Sequence, residues 1–194
     1  MTFALSVEEP LAPPLPFHRF TVEQYHRLGE LGILTPEDRV ELLEGWIVRK
    51  MNQRPIHGFI VRSLNECFMR QLPQGWICQC QLPVTTANSE PEPDVAILKG
   101  EQSDFRDHHP SGRDCRLLIE VADTSLERDR AKASIYRQAG VQEYWIINVG
   151  EKVVERFVFS TSPNTEPQIV SAPESLAIQI GEVVIALDLT ELFA

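Results

Sequence analysis

Glu92-Pro93-Asp94 stands at the mouth of an apolar stretch, Asp94–Leu98. Further on, Glu120 interrupts the apolar run Leu117–Val121, where an unpaired carboxylate would be costly to bury. Asp129, Lys132 and Tyr136 then follow at i, i+3 and i+7, which puts them on one side of a helix. A strand end and the first turns of the helix after it lie close in space, so Lys132 is expected to approach Glu120. Two carboxylates on neighbouring strand ends and one lysine compose a rational divalent-metal site. Hard oxygen donors suit Mg2+, which keeps several waters and binds substrate phosphates; Mn2+ fits the same donors. Such a site supplies a hydroxide nucleophile and offsets charge developing on a phosphoryl group. The lysine would orient the attacking water or stabilise the transition state. Those parts fit phosphodiester hydrolysis.

The elements that must position these groups can be read along the chain. Residues 1–17 are proline-rich (Pro10, Pro13, Pro14, Pro16) and predict an extended or disordered leader, with one domain over 18–194. Thr21 and Gln24 form a capping box for a helix over 21–31. A strand at Arg39–Leu43, a turn at Glu44-Gly45 and a return strand at Trp46–Met51 predict a hairpin. Ile56, Ile60, Leu64 and Phe68 recur at helical spacing and predict a helix over 56–71. Strands are expected over 76–84, 94–98 and 116–122. A helix over 125–139 follows, opened by a Thr124/Glu127 capping box and closed by Gly140. Strands over 143–149 and 152–160 form a hairpin, and short strands near 167–171 and 182–187 finish the chain. No repeat occurs at a period of roughly 20–50 residues. The order predicts an α/β (α+β) domain: one mixed central β-sheet flanked by helices, with an N-terminal helix and hairpin.

The formal charge of −10, from 18 Lys+Arg and 28 Asp+Glu, argues against a protein that coats nucleic acid through a basic surface. The acidity is unevenly placed, with a net of −5 over residues 1–45, +1 over 46–137 and −6 over 138–194. The near-neutral middle carries the candidate site, and nucleic-acid binding there is expected to depend on a divalent cation. Between Arg49 and Arg70, five basic residues, Arg54 and Arg62 among them, face a single acid, Glu66. They are either a solvated helix face or phosphate contacts. No apolar run approaches the ~20 residues of a membrane helix, and no secretory leader is evident, so a cytoplasmic protein is expected. The four cysteines are expected as reduced thiols. Cys78-x-Cys80 lacks the spacing and the second ligand pair of a zinc site.

In order and spacing, the chain resembles the Uma-two-type family of bacterial restriction endonucleases, within the P-D…(D/E)-x-K nuclease superfamily. The resemblance spans about residues 18–190. It rests on Thr21-Val-Glu-Gln-Tyr, Glu41-Leu-Leu-Glu-Gly45, His57, Glu92-Pro93-Asp94, Leu118-Ile-Glu120-Val and the run Asp129…Lys132…Tyr136…Gly140-Val-Gln-Glu-Tyr-Trp145. It implies a restriction-endonuclease-like fold, a Mg2+- or Mn2+-dependent endonuclease acting on DNA, and a homodimer. The P-D aspartate falls on Asp94 and the strand glutamate on Glu120, the implied metal ligands. The superfamily lysine two residues later is absent, because Ala122 stands there, and the resemblance shifts that role to Lys132 on the next helix. The early glutamate falls on Glu41, an additional acid near the metal or its water, and His57 is an accessory candidate.

Each of these residues also has a purely structural use. Asp94 could cap a turn after Pro93, and Glu120 could pair with an arginine such as Arg128. Lys132 could be a solvated lysine beside Asp129, and Glu41 a strand-end charge facing water. His57 shares a helical face with Val61, Leu64 and Phe68, which suits a satisfied semi-buried histidine. His108 and His109 are expected in solvent, and Tyr136 and Trp145 in the core. The competing function is a nuclease-fold binding or regulatory protein with little catalytic activity.

Overall fold

Thr21 opens the first helix with the expected reciprocal cap. The Gln24 N–H donates to Thr21 Oγ1 at 3.1 Å, and the Thr21 N–H donates to Gln24 Oε1 at 3.0 Å. The computed structural model describes residues 17–159 and 166–194. The leader expected over 1–17 lies, apart from Phe17, outside the described residues, as does Ser160 at the end of the strand expected over 152–160.

Helix α1 (Val22–Glu30) leads through a 3-10 turn at Pro36–Asp38 into the antiparallel hairpin β1 (Val40–Leu43) and β2 (Trp46–Arg49). Its turn falls at Glu44 and Gly45, with φ of 49° and 81°. A Cβ on Gly45 would lie 2.7 Å from the Arg19 Cβ, so only glycine fits both the conformation and the space. Helix α2 (Pro55–Gln71) is followed by β3 (Trp76–Gln79), β4 (Val95–Lys99) and β5 (Cys115–Ala122). Then come α3 (Leu126–Ala139), β6 (Glu143–Asn148), β7 (Val153–Val158) and β8 (Gln168–Ser171), with β9 (Ser175–Ile180), β10 (Val183–Asp188) and α4 (Leu189–Leu192) at the end.

Among the described residues, six strands form one sheet in the order β3-β4-β5-β6-β7-β8, beside two separate hairpins, β1-β2 and β9-β10. Strands β5 and β6 are parallel and the other neighbours antiparallel, so the sheet is mixed, as expected. A parallel pair cannot be closed by a tight turn, and α3 is the crossover that joins them. Gly140, at φ 88°, ends that helix in the left-handed conformation.

Side-chain alternation divides the core into two layers. Ile60, Leu64 and Phe68 of α2 pack on Val95, Ile97, Leu117, Ile119 and Val121, and the β9-β10 hairpin adds Ile178, Ile180 and Ile185 to the same layer. On the other face Ala96, Leu98, Leu118 and Ile146 pack beneath Ala133 and Tyr136 of α3. Glu120 shares the row of Leu118 and Ala122 and therefore faces α3. Among the described residues no helix is long and apolar enough to cross a membrane.

The strand expected over 76–84 stops at Gln79, because Gln81 takes a positive φ of 54° and Pro83 has no N–H for a ladder. The Thr124/Glu127 capping box does not form; Ser125 is the N-cap, and its hydroxyl donates to Asp129 Oδ2 at 2.5 Å. The C-terminal strands do not all join the mixed sheet, since β9, which the sequence pattern did not reveal, pairs with β10 instead. All four cysteines are free, and of these Cys115 is fully buried.

Candidate active site

Asp94 immediately precedes β4, and Val95 pairs with Ile119, so continuing that register sets Asp94 level with Glu120 on the neighbouring strand. Asp94 Oδ2 accepts the Val121 N–H at 2.8 Å and lies 3.0 Å from His57 Nε2. Its Oδ1 accepts from the Gln81 amide at 3.3 Å. One turn of α3 brings Lys132 and Tyr136 over Glu120. Lys132 Nζ donates to Glu120 Oε1 at 2.9 Å, and the Tyr136 hydroxyl donates to the same oxygen at 2.9 Å. The ammonium also donates to Glu41 Oε2 at 3.0 Å.

Glu41 arrives on the β1-β2 hairpin, which is tied down by main-chain bonds from Glu90 N to Leu42 O at 2.7 Å and from Gly45 N to Asn88 O at 2.8 Å. Glu41 Oε2 accepts the Glu92 N–H at 3.3 Å as well. The Tyr144 hydroxyl donates to the Asp129 carbonyl at 2.9 Å and so fastens the start of α3 to β6. Glu41, His57, Asp94, Glu120, Asp129 and Lys132 line an open cleft of about 550 Å³, counting its mouth. Two ion pairs, Lys50–Glu92 and Arg54–Asp123, stand at its rim.

Four buried carboxylates, Glu41, Asp94, Glu120 and Asp129, surround one buried ammonium. Burial works to lower the Lys132 pKa, but Glu120, Glu41 and Asp129 outweigh it and hold the ammonium protonated above the ordinary lysine range. Burial pushes the Glu120 carboxyl well above its ordinary value; Lys132 opposes this, while Asp129, Asp94 and Glu41 add to it. Burial likewise raises Asp129 to about 6, against the pull of Lys132 and the Ser125 hydrogen bond. The Tyr136 hydroxyl, pushed up by burial and then by Glu120, stays protonated as a donor. His57 is buried, and its Nδ1 has no hydrogen-bond partner among the described residues.

Asp94, Glu120, Lys132, Glu41 and His57 thus come together. Glu41 does not face water; it is 3% exposed and bonded to Lys132. Lys132 is not a solvated helix lysine, and the partner of Glu120 is Lys132 rather than Arg128, whose Nη1 donates to the Arg49 carbonyl at 2.6 Å. His57 is only half satisfied, through Nε2. Arg54 lies exposed at the rim, paired with Asp123, and Arg62 is exposed on α2 outside the cleft lining. Tyr136 is buried in the core as expected, yet its hydroxyl belongs to the site. Its position four residues after Lys132 was the available signal. Gln81 and the N–H groups of Glu92 and Val121 had none, since loop geometry and main-chain donors place them.

As the side chains stand, no group of three or more His, Cys, Asp or Glu among the described residues could hold a metal ion. The donor chemistry nevertheless suits a hard cation. The bonds described above fall on Glu120 Oε1, Glu41 Oε2 and mainly Asp94 Oδ2, and none of them falls on Glu120 Oε2 or Glu41 Oε1. Mg2+ ordinarily takes only one or two protein carboxylates. A single ammonium also leaves four carboxylates under-neutralised, which a divalent cation would offset.

The Uma2 family, described as "Putative restriction endonuclease", matches residues 22–189. A crystal structure of "a putative nuclease belonging to DUF820" from Anabaena variabilis ATCC 29413 superposes with a TM-score of 0.71 at 19% identity, covering 90% of this chain and 97% of that one. At that identity the likeness establishes the fold. No curated protein matches. With the family match running from α1 to the start of α4, the chain belongs to the Uma2 family.

Proposed function

We propose that the chain is a metal-dependent DNA endonuclease that hydrolyses phosphodiester bonds, with Asp94 and Glu120 holding Mg2+ or Mn2+ and Lys132 serving the attacking water. The observation that carries this function is the buried Lys132 ammonium shared by Glu41 and Glu120, with Asp94 on the adjoining strand. The family's description as a restriction endonuclease and the structural neighbour's as a nuclease support the same chemistry. A metal bound there would neutralise charge on the phosphoryl group and acidify a water.

The chain's own residues supply the rest. The Val121 N–H and His57 orient Asp94, and Tyr136 holds Glu120. Lys132, kept protonated, cannot act as a base; it donates to the water or to an oxygen on which charge builds. Glu41 fixes the ammonium and offers an acceptor for a water proton. Arg54 at the rim and Arg62 farther along α2 would contact phosphates flanking the cleft. Cutting both strands would take two copies of the site, which a two-fold homodimer provides.

The test is a supercoiled plasmid incubated with Mg2+ or Mn2+. The expected result is nicking by the wild type and none by Glu120→Gln. No cleavage of any nucleic acid, with no metal binding by calorimetry, removes the enzyme. A nuclease-fold binding or regulatory protein has one observation in its favour, the absence of a ready metal cage among the described residues. It predicts that Asp94→Asn keeps DNA binding and that there is no turnover to lose.

A further inference from the structure

Behind the Lys50–Glu92 ion pair, which lines both spaces, the cleft adjoins a larger groove of about 2260 Å³ counting its mouth. Helix α1, the loop after it and the segment around Phe105–Ser111 form its walls. It uses none of the catalytic groups, but it presents a set of rings. His26 and His109 meet edge to face at 6.3 Å between centroids, and Phe105 and His108 lie 6.0 Å apart. His26 is 45% exposed yet rigidly held, since its Nε2 lies 2.7 and 2.8 Å from the two oxygens of Glu90. That glutamate is buried and accepts the Thr85 hydroxyl at 2.7 Å. A buried carboxylate spent on fixing an exposed imidazole makes a preorganised platform, and the cleft has no use for it.

The groove also carries cations without counter-ions. Arg106 is exposed and forms no ion pair with any described residue. Arg39 is fixed by neutral acceptors, Asn52 Oδ1 at 2.9 Å and the Met51 carbonyl at 3.1 Å, so its charge is not neutralised. Of the acids on the walls, Glu30 is engaged by Arg27 and Glu92 by Lys50, which leaves Asp107. The exposed imidazoles of His26, His108 and His109 beside unspent guanidinium groups are what unpaired nucleotides need: a base stacks on a ring only when its own face is not covered by a neighbouring pair.

We infer that this groove binds a single-stranded DNA segment continuous with the strand whose phosphodiester lies in the cleft, so that substrates with unpaired nucleotides beside the scissile bond are preferred. The inference rests on the proposed nuclease function and names its substrate class. Fluorescence anisotropy on the full-length protein, with a labelled oligothymidylate and a flush-ended duplex of equal length, tests it. The single strand is expected to bind at least about tenfold more tightly. His109→Ala should weaken single-strand binding at least about fivefold, the loss of one stacked base. Arg106→Glu, at an exposed position that folding does not depend on, should weaken it comparably and lower the salt slope by about 1 or more. Equal binding of the duplex, or single-strand affinity indifferent to Arg106→Glu, overturns the inference. Tighter binding of an oligouridylate overturns the assignment to DNA. Plasmid nicking by the wild type separates the two ideas. Nicking with an indifferent groove leaves the nuclease and removes the groove; single-strand binding that responds to the variants, without cleavage in Mg2+ or Mn2+, does the reverse.

Discussion

Replacing Lys132 by Met keeps most of the side chain's volume and removes only the ammonium that Glu41 and Glu120 share. Both carboxylates are then buried without a counter-charge, at 3% and 5% exposure. Removing one partner of a buried pair costs about 3–5 kcal/mol, because the desolvation penalty stays while the attraction goes. The pH dependence follows from Glu120, whose carboxyl burial already raises and Lys132 pulls back down. Without that pull the folded-state pKa rises further above the unfolded value. Stability is then full below the unfolded pKa and is lost as pH rises through the folded one. Urea denaturation of wild type and Lys132→Met should give a difference of about 3–5 kcal/mol at pH 8, and one that narrows as pH falls toward the ordinary glutamate range. Glu120→Gln added to Lys132→Met should recover part of the loss, since it removes one stranded charge. A deficit below about 1 kcal/mol at pH 8, with no pH dependence, is what an exposed pair gives and would refute the buried bridge.

Asp129, raised to about 6 by burial, holds its proton more tightly folded than unfolded, so its contribution to stability is lost as pH rises from about 4 to about 6. Asp129→Asn should therefore gain about 3 kcal/mol relative to wild type between pH 4 and pH 8, read from denaturation midpoints at the two pH values. Gly112→Ala would set a Cβ 2.5 Å from the Ala139 Cβ and 2.6 Å from its carbonyl oxygen. It should lower stability by about 1–3 kcal/mol in urea, and an unchanged midpoint would contradict the packing of the 3-10 turn Gly112–Asp114 on the end of α3. Tyr136→Phe removes a buried donor from Glu120 at 2.9 Å. It should cost about 1–2 kcal/mol of stability, seen as a lower thermal midpoint.

Most of the strong local signals agree with the structure, the Thr124/Glu127 cap being the exception. Thr21 with Gln24, Glu44-Gly45 and Gly140 are turn or cap chemistries that local physics decides, and each stands where its pattern predicts. The i, i+3, i+7 set on α3 put Lys132 toward Glu120 correctly, because a strand end and the next helix are near in space whatever the topology. Glu41 was different. Its burial depends on a hairpin docked through Leu42 and Glu90, far apart along the chain, and nothing in Val40–Leu43 distinguishes a core-facing glutamate from a solvated one. Gln81 illustrates the same limit: a left-handed residue between a short strand and Pro83 ends β3 early and swings an amide onto Asp94. Strand β9 escaped because its half-exposed alternation, with Ser175, Ala177 and Gln179 outward, is weak on hydrophobicity alone.

A crystal soaked with Mn2+ and measured for anomalous scattering tests the site most directly. One peak is expected in the cleft, with a carboxylate oxygen from each of Asp94 and Glu120 within about 2.3 Å and Lys132 beside it, and Asp94→Asn should erase the peak. No peak in the cleft at millimolar Mn2+, or a peak that persists in Asp94→Asn, would contradict the account.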